Sequence, residues 1–134
     1  MDTYTPSTMN IKKERLAFDD VLLVPQYSTI ESRTEVDLSQ QLAVSPSITL
    51  GIPIISSPMD TITGVDMAIA MNQAGGLGII HRYNTIKEQA LMVQSAAACT
   101  VGAAIGVTGD FEERAAALYA AGARVLCIDV AHGH

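Results

Sequence analysis

Four short apolar runs recur along the chain at nearly constant spacing. They begin at Ile52, Leu77, Val101 and Val125, so successive starts lie 25, 24 and 24 residues apart. Each run is continuously apolar and contains Ile or Val, which is typical of strands that are buried on both faces. The repeat therefore predicts four buried β-strands separated by units of similar length.

Three segments with helical periodicity lie between these runs. Their apolar stripes are Met67, Ala70, Met71 and Ala74, then Ile86, Ala90, Val93 and Ala97, and finally Phe111, Ala115 and Leu118. In the third segment Glu112, Glu113 and Arg114 are expected on the solvent side. The order of elements is βαβαβαβ, which favours a parallel sheet with right-handed crossovers.

The ends of the helices carry recognisable signals. Thr63, Thr85 and Asp110 each stand three residues before an acidic residue, which predicts that their side-chain oxygens cap the helix N-termini. Gly75 and Gly122 follow the helices, where a left-handed backbone conformation commonly ends a helix. These signals place the three helices between the strands.

The N-terminal region has a different character. Residues 1–15 are interpreted as a polar arm, and extended stretches follow at residues 17–25 and 35–50. The turn signal Ser45–Pro46–Ser47 interrupts the second stretch. We expect a small antiparallel hairpin here, packed against one end of the sheet.

Two α/β architectures fit this pattern: a doubly wound open sheet and half of a (β/α)8 barrel. Periodicity alone does not separate them. A closed barrel typically takes about 250 residues, and this chain has 134. In the barrel interpretation, residues 16–134 are the first half of the barrel, ending after the fourth strand. Under either interpretation the chemistry is expected to be incomplete.

Composition excludes several classes of partner. The formal net charge of −6 argues against general binding to nucleic acid phosphates. No apolar run is long enough to span a bilayer, and the N-terminus lacks the apolar core of a secretory signal. We expect a cytoplasmic protein without membrane or nucleic-acid partners. Cys99 and Cys127 have no metal-type spacing and are expected to be reduced, buried thiols.

Polar and ionisable residues concentrate after the four predicted strands, where ligands bind in parallel α/β folds. These segments are Ser56–Thr61, His81–Asn84, Gly106–Asp110 and Asp129–His134, and they contain all three histidines of the chain. Each segment also has a purely structural interpretation. Ser56, Ser57 and Thr61 could cap the first helix, and Asp60 could form a turn. His81 and Arg82 could be a surface pair, and Thr108 and Asp110 could be helix caps.

Two further patterns contain residue types that serve in metal and phosphate sites. Asp129, His132 and His134 resemble a divalent-metal set, but Gly133 indicates a turn and no further ligand is evident, so no metal is assigned. A metal-dependent barrel hydrolase that uses these three residues is kept as an alternative function from a different enzyme class. The glycines of residues 75–78 precede a strand, so they favour helix termination over a phosphate loop.

Four pieces of the chain are similar to the IMP dehydrogenase/GMP reductase family. They are Leu16–Ser39, Gly51–Arg82, Val101–Val107 and Val125–His134, in this order. The resemblance implies a (β/α)8 barrel and purine nucleotide chemistry in guanine nucleotide biosynthesis. IMP dehydrogenases oxidise IMP to XMP with NAD through a covalent thioimidate on a cysteine. GMP reductases deaminate GMP reductively with NADPH.

The resemblance also carries residue roles onto this chain. Ser57 and Met59 match positions that contact the purine nucleotide, and Arg82 matches a basic position near the active site. Asp129 matches the aspartate that holds the nicotinamide ribose of the cofactor. The loop that lies near the cofactor corresponds to Val107 and Thr108.

Several family features are missing. Neither Cys99 nor Cys127 matches the catalytic cysteine, so no catalytic residue is assigned and the chain alone is expected to be inactive. Residues 98–100 bridge the place where IMP dehydrogenases usually carry a pair of regulatory CBS domains. The motifs favour NAD-dependent IMP dehydrogenase, with GMP reductase and NADP as the alternative. The resemblance further implies a homotetramer at full length and leaves open a requirement for potassium.

Overall fold

The computed structural model describes residues 16–133, so the predicted polar arm at residues 1–15 and His134 lie outside the described residues. The chain divides into two compact units between Val36 and Asp37. The described part of the first unit is exposed throughout and contains two short 3-10 turns, Phe18–Asp20 and Arg33–Glu35. The extended stretch expected at residues 17–25 forms no strand there.

The second unit is an α/β structure with two sheets. Its elements are β1 (Gln40–Val44), β2 (Ser47–Leu50), β3 (Ile55–Ser56), α1 (Val65–Gln73), β4 (Leu77–Ile80), α2 (Ile86–Ser95), β5 (Val101–Ile105), α3 (Phe111–Ala120) and β6 (Val125–Ile128). Strands β1 and β2 pair antiparallel around the turn at residues 45–46, which confirms the predicted hairpin. Strands β3 to β6 form a second sheet in which every pairing is parallel.

The order of strands in the larger sheet separates the two architectures left open by the sequence. Its spatial order is β3-β4-β5-β6, the same as the order along the chain. A doubly wound sheet reverses its strand order at a switch point, whereas a barrel adds each strand beside the previous one. The four parallel strands and the hairpin therefore correspond to the N-terminal half of a (β/α)8 barrel.

Burial differs between the inner and outer strands. Every residue of β4 and β5 is buried, as the apolar runs predict. The prediction is wrong for β3 and β6, which keep exposed positions along their length. These two strands form the edges of the described sheet, and within residues 16–133 no helix follows β6 to cover it.

The first parallel strand begins at Ile55, so the start predicted at Ile52 is wrong. The backbone amides of Gly51 and Ile52 both donate to the carbonyl oxygen of Gly75, at 2.7 and 3.1 Å. The amide of Ile54 donates to the carbonyl oxygen of Ile52 at 2.9 Å, which closes a tight turn. Pro53 lacks an amide proton for a sheet hydrogen bond. Hydrogen bonds to Gly75 and within the turn thus use amides of Gly51, Ile52 and Ile54 that a longer strand would need.

The sheet separates two hydrophobic cores. On the helix side, Ile80, Val101, Ala103 and Ile105 pack with residues of the helices such as Val93 and Leu118. On the other side, the hairpin residues Ile48 and Leu50 pack with Leu77, Ile79 and Ala104. Alternate residues of each strand point to opposite faces, so one apolar strand serves both cores. The hairpin therefore packs against a face of the sheet.

The buried face of α1 differs from its predicted stripe. Ala68 is fully buried, whereas Met67 of the predicted stripe is 40% exposed. The reason lies in β4, because a Cβ added to Gly78 would stand 2.5 Å from the Cα of Ala68. The backbone of α1 approaches the strand so closely that only small residues fit at the crossing.

Of the three helix caps predicted from the sequence, one forms as expected. The hydroxyl of Thr85 accepts from the Glu88 amide, and the Glu88 carboxylate accepts from the Thr85 amide at 2.9 Å. This capping box confirms the prediction for α2. The prediction for Thr63 is wrong, because Gly64 is the N-cap of α1. Asp110 stands at the N-cap position of α3 but forms no side-chain cap bond.

The helix ends agree with the sequence. Gly75 has a φ of 87° and Gly122 a φ of 105°, the left-handed region that glycine adopts without strain. Within residues 16–133, no helix is long and apolar enough to cross a membrane. Cys99 and Cys127 are free thiols that are half-buried, so they are less buried than expected.

Gly78→Ala is expected to lower the free energy of unfolding by about 1–3 kcal/mol. The new Cβ would meet the backbone of α1, which cannot yield without moving the helix. Gly51→Ala is the matched control, because its new Cβ would stand 3.6 Å from the Cα of Gly75, an ordinary van der Waals distance. Urea denaturation measures both variants, and an equal loss for the two would contradict this account of the α1–β4 contact.

Glu88→Ala is expected to destabilise the fold at neutral pH and to do so less in acid. Hydrogen bonds from the backbone and side chain of Thr85 hold the pKa of Glu88 below its ordinary value of 4.5. The ionised carboxylate therefore stabilises the fold above pH 4.5, and this contribution is lost as the pH falls through the lowered pKa. Thermal unfolding as a function of pH measures the effect.

Glu113→Ala is the control for this pH dependence. Glu113 occupies the same third position in α3, where no capping box forms. Its substitution is expected to leave the shape of the stability–pH curve close to that of the unaltered chain. A constant difference between Glu88→Ala and the unaltered chain at every pH would count against the role of the ionised carboxylate.

Candidate functional site

The segments that follow β3, β4, β5 and β6 all leave the sheet at one edge, because the four strands are parallel. We call this the carboxyl edge, formed by residues 57–63, 81–84, 106–110 and 129–133. It contains the described residues that the sequence singles out for chemistry. In parallel α/β folds this edge is the usual place for a ligand.

Arg82 and Asp129 are joined across the carboxyl edge. The Nε of Arg82 lies 3.3 Å from Oδ2 of Asp129, and its Nη2 donates to the Asp129 carbonyl oxygen at 2.9 Å. Both side chains are half-buried, with 34% and 28% of their surface exposed. The contact brings together a residue predicted for the substrate and one predicted for the cofactor.

The arginine reaches Asp129 by passing the end of β5. Arg82 follows β4 and Asp129 follows β6, so the side chain spans the strand between them. A Cβ added to Gly106 would stand 3.4 Å from Nη1 of Arg82, which shows how close the guanidinium comes to this backbone. The surface pairing of His81 with Arg82 that the sequence left open does not describe this arrangement.

Two rings flank the arginine. The rings of His81 and Tyr83 stack with centroids 6.4 Å apart, and the guanidinium carbon of Arg82 lies 5.8 Å from the centre of the Tyr83 ring. The Nδ1 atom of His81 is buried and has no hydrogen-bond partner among the described residues. The segment after β4 thus combines aromatic, imidazole and guanidinium groups, of which the guanidinium contacts Asp129.

The segment after β3 is a tight turn held by Thr63. Its hydroxyl donates to the carbonyl oxygen of Ser57 at 2.6 Å and lies 2.9 Å from Oγ of Ser56. The Met59 carbonyl oxygen accepts from two amides of the same turn, those of Ile62 and Thr63, at 3.0 and 2.9 Å. Thr63 therefore fixes the turn instead of capping α1.

Four predicted ligand residues are exposed at the carboxyl edge. Ser57 and Met59 lie in the turn after β3, and Val107 and Thr108 lie in the segment after β5. Within residues 16–133, no hydrogen bond joins any of these side chains to the Arg82–Asp129 pair. The structure places them on the same edge but does not bring them into direct contact with that pair.

A buried polar cluster beneath this edge was not predicted from the sequence. Gln89 is fully buried, and its Nε2 donates to the carbonyl oxygens of Ala104 and Ile80, at 2.8 and 3.4 Å. Its Oε1 accepts from Nη1 of Arg114 at 2.7 Å. We call this cluster, with its partners Asn84 and Asp110, the Gln89–Arg114 network.

Arg114 is only 8% exposed, so its predicted place on the solvent side of α3 is wrong. Its Nη2 donates to the carbonyl oxygen of Asn84 at 3.1 Å and to Oδ2 of Asp110 at 2.9 Å. The sequence held two signals for this cluster. Gln89 interrupts the apolar stripe of α2, and Asp110 precedes Arg114 by one helical turn.

Electrostatics at the edge follow from these contacts. The hydrogen bond from Arg114 holds the pKa of Asp110 below its ordinary range. Burial, and secondly the negative charge of Asp129, raise the pKa of the Cys127 thiol. A thiol with a raised pKa stays protonated at neutral pH and is a poor nucleophile.

The described part of the chain contains no side-chain cluster of the kind that the metal-site alternative requires. No group of three or more His, Cys, Asp or Glu side chains there is arranged to hold a metal ion. Asp129 and His132 belong to this part, whereas His134 lies outside it. The carboxylate of Asp129 is instead engaged by Arg82.

A parallel α/β sheet with a half-buried carboxylate and guanidinium at its carboxyl edge defines an α/β enzyme domain of the barrel class. Residues 15–134 match the family described as the IMP dehydrogenase / GMP reductase domain. This match covers most of the chain. The protein therefore belongs to the IMP dehydrogenase/GMP reductase family, which confirms the resemblance seen in the sequence.

Relatives of known name support this membership. The chain is 59% identical over 78 residues to an inosine-5'-monophosphate dehydrogenase of Nitrosopumilus maritimus, a match covering 58% of this chain. It is 54% identical over 82 residues to an inosine-5'-monophosphate dehydrogenase of Staphylococcus aureus, covering 61% of this chain. The matched region spans 16% of the length of each relative.

Removing either partner of the Gln89–Arg114 contact is expected to lower the free energy of unfolding by about 2 kcal/mol. Arg114→Met leaves Oε1 of Gln89 without its donor. Gln89→Leu removes the acceptor of Nη1 of Arg114 and the side-chain donor to the Ala104 carbonyl oxygen. The double variant is expected to lose about 1 kcal/mol less than the sum of the single losses. Chemical denaturation of the four proteins of this cycle measures the coupling.

Lys87→Met is the control for this cycle. Lys87 is exposed on α2, two residues before Gln89, so the substitution removes a positive charge without entering the network. Its stability is expected to stay within about 0.5 kcal/mol of the unaltered chain. Strictly additive losses in the double variant would show that the two side chains act independently.

Proposed function

We propose that this chain is the N-terminal part of a purine nucleotide oxidoreductase that oxidises IMP to XMP with NAD. Membership of the IMP dehydrogenase/GMP reductase family supports the class of reaction. The names of the two relatives favour the dehydrogenase within that family. Residues 16–134 would form the first half of the catalytic barrel, without CBS domains.

The observation that carries the proposal is the placement of Asp129. Its half-buried carboxylate stands at the carboxyl edge, held by Arg82. A carboxylate is an acceptor only, and two neighbouring hydroxyls of a ribose are matching donors. Partial burial excludes some competing water and strengthens such hydrogen bonds.

These properties fit the nicotinamide ribose of NAD, which when bound supplies the acceptor for the hydride from the purine. Asp129 would accept hydrogen bonds from the ribose hydroxyls, with Val107 and Thr108 alongside. Ser57 and Met59 would contact the purine nucleotide from the turn after β3, and Arg82 would stand between the two ligands. None of these residues carries a thiol, and neither Cys99 nor Cys127 matches the catalytic cysteine of the family, so the covalent step is not assigned to any of them.

GMP reductase is the second candidate, with NADPH as the cofactor. One observation favours it: α2 and β5 are separated only by residues 96–100, so no regulatory insert lies between them. The same family resemblance extends both proposals to a cytoplasmic homotetramer at full length. Under either proposal the Asp129 carboxylate keeps its role, because both cofactors carry the same nicotinamide ribose.

The 134-residue chain is expected to bind NAD without forming NADH from IMP. Asp129→Asn is expected to weaken NAD binding about tenfold, because it replaces a charged acceptor of hydrogen bonds by a neutral one. Titration calorimetry measures the binding, and absorbance at the NADH band measures turnover. Comparison of NAD with NADPH separates the dehydrogenase from the reductase proposal.

Asp66→Asn is the control for this titration. Asp66 lies in the first turn of α1 and is exposed, so the substitution removes the same charge away from Asp129. Its affinity for NAD is expected to equal that of the unaltered chain. NADH formation by the chain alone, or equal loss of affinity in both variants, would refute the assignment.

A further inference from the structure

The end of β6 belongs to an edge strand, which pairs only with β5 in the sheet of the described residues. The amide of Asp129 donates to the carbonyl oxygen of Ile105 at 2.9 Å, which ties β6 to β5. The residues that follow, Val130 to Gly133, are exposed. Edge strands with exposed ends open locally at low free energy. A ligand residue at this place therefore needs an additional support to keep one orientation.

Arg82 provides that support from the opposite side of β5. Its guanidinium donates to two acceptors of the same residue, the carbonyl oxygen of Asp129 at 2.9 Å and Oδ2 of its carboxylate at 3.3 Å. The guanidinium is planar and rigid, so two simultaneous contacts define both the position of the backbone and the direction of the carboxylate. Lysine, with one compact ammonium group, lacks this fork.

The surroundings of Arg82 are shaped for this span. Gly106 leaves open the space over β5, since a Cβ there would stand 3.4 Å from Nη1. Tyr83 lies beside the guanidinium, with the ring centre 5.8 Å from its carbon. The arginine thus lies close to a backbone and beside a ring, and both restrict its freedom before it binds Asp129, which limits the entropy lost in that contact.

We propose that Arg82 is a positioning residue that presets the Asp129 carboxylate for the ribose diol of the cofactor. The inference rests on the proposed function and adds a role for Arg82 beyond a place beside the substrate. Because the contact spans β5, it also links the segment after β4 to the segment after β6. Loss of Arg82 would then affect cofactor binding through Asp129.

Hydrogen exchange of the full 134-residue chain tests the support directly. The amides of Asp129 and Arg124 both bind β5, at opposite ends of β6. Arg82→Met is expected to speed amide exchange at Asp129 about tenfold, which corresponds to about 1.4 kcal/mol of lost local stability. The exchange rate at Arg124 is expected to stay unchanged. Arg82→Lys keeps the charge but not the forked guanidinium, so its exchange rate at Asp129 should lie between those of the unaltered chain and Arg82→Met.

NAD titration of the same variants tests the consequence for the ligand. Arg82→Met is expected to weaken NAD binding about fivefold without a matching loss of thermal stability, since preorganisation and not folding is lost. Lys87→Met, which removes an exposed charge of the neighbouring helix, should change neither exchange nor affinity.

The outcomes separate this inference from the proposed function. Unchanged exchange at Asp129, or equal acceleration at Asp129 and Arg124, would overturn the positioning role. Unchanged NAD affinity in Arg82→Met, with normal binding by the unaltered chain, would overturn it as well. An unaltered chain that binds no NAD would instead remove the cofactor assignment, and with it the role of Arg82 toward that cofactor.

Discussion

The structure depends on how the two inner strands end. The carbonyl oxygens of Ile80 and Ala104 lie in the interior, where a polar group without a partner is costly. The side-chain amide of Gln89 donates to both, and its oxygen accepts from Arg114 in turn. One chain of hydrogen bonds therefore joins α2 and α3 to the ends of β4 and β5 and leaves little freedom in how these elements pack.

The candidate site is built outward from this network. Arg114 also binds the carbonyl oxygen of Asn84 and the carboxylate of Asp110, one in each of the two central segments of the carboxyl edge. These segments consequently start from defined positions above the strands. Arg82 stands two residues before Asn84, and from there it reaches over Gly106 to Asp129. A buried contact thus defines where the segment begins that carries Arg82 to Asp129, the half-buried pair proposed to face the ligand.

Much of the fold could be predicted from the sequence because it depends on local patterns. The apolar runs at Leu77 and Val101 indicate buried strands, Thr85 with Glu88 indicates a helix start, and Gly75 indicates a helix end. The structure confirms each of them. Each signal involves residues within about one turn of one another, so side-chain chemistry and backbone preference suffice to detect it. The family, too, was evident from ordered motifs.

Other features were decided only by tertiary packing. The buried face of α1 follows from its close approach to Gly78, and Arg114 is buried because α3 packs beside Gln89. Arg82 and Asp129 are 47 residues apart in the chain and meet because both leave the sheet at one edge. The sequence by itself determined the elements, their order and the residues at the carboxyl edge. The tertiary structure decided which of those residues are in contact. These contacts are hydrogen bonds between elements far apart in the chain, and their partners depend on packing and leave no periodic pattern in the sequence.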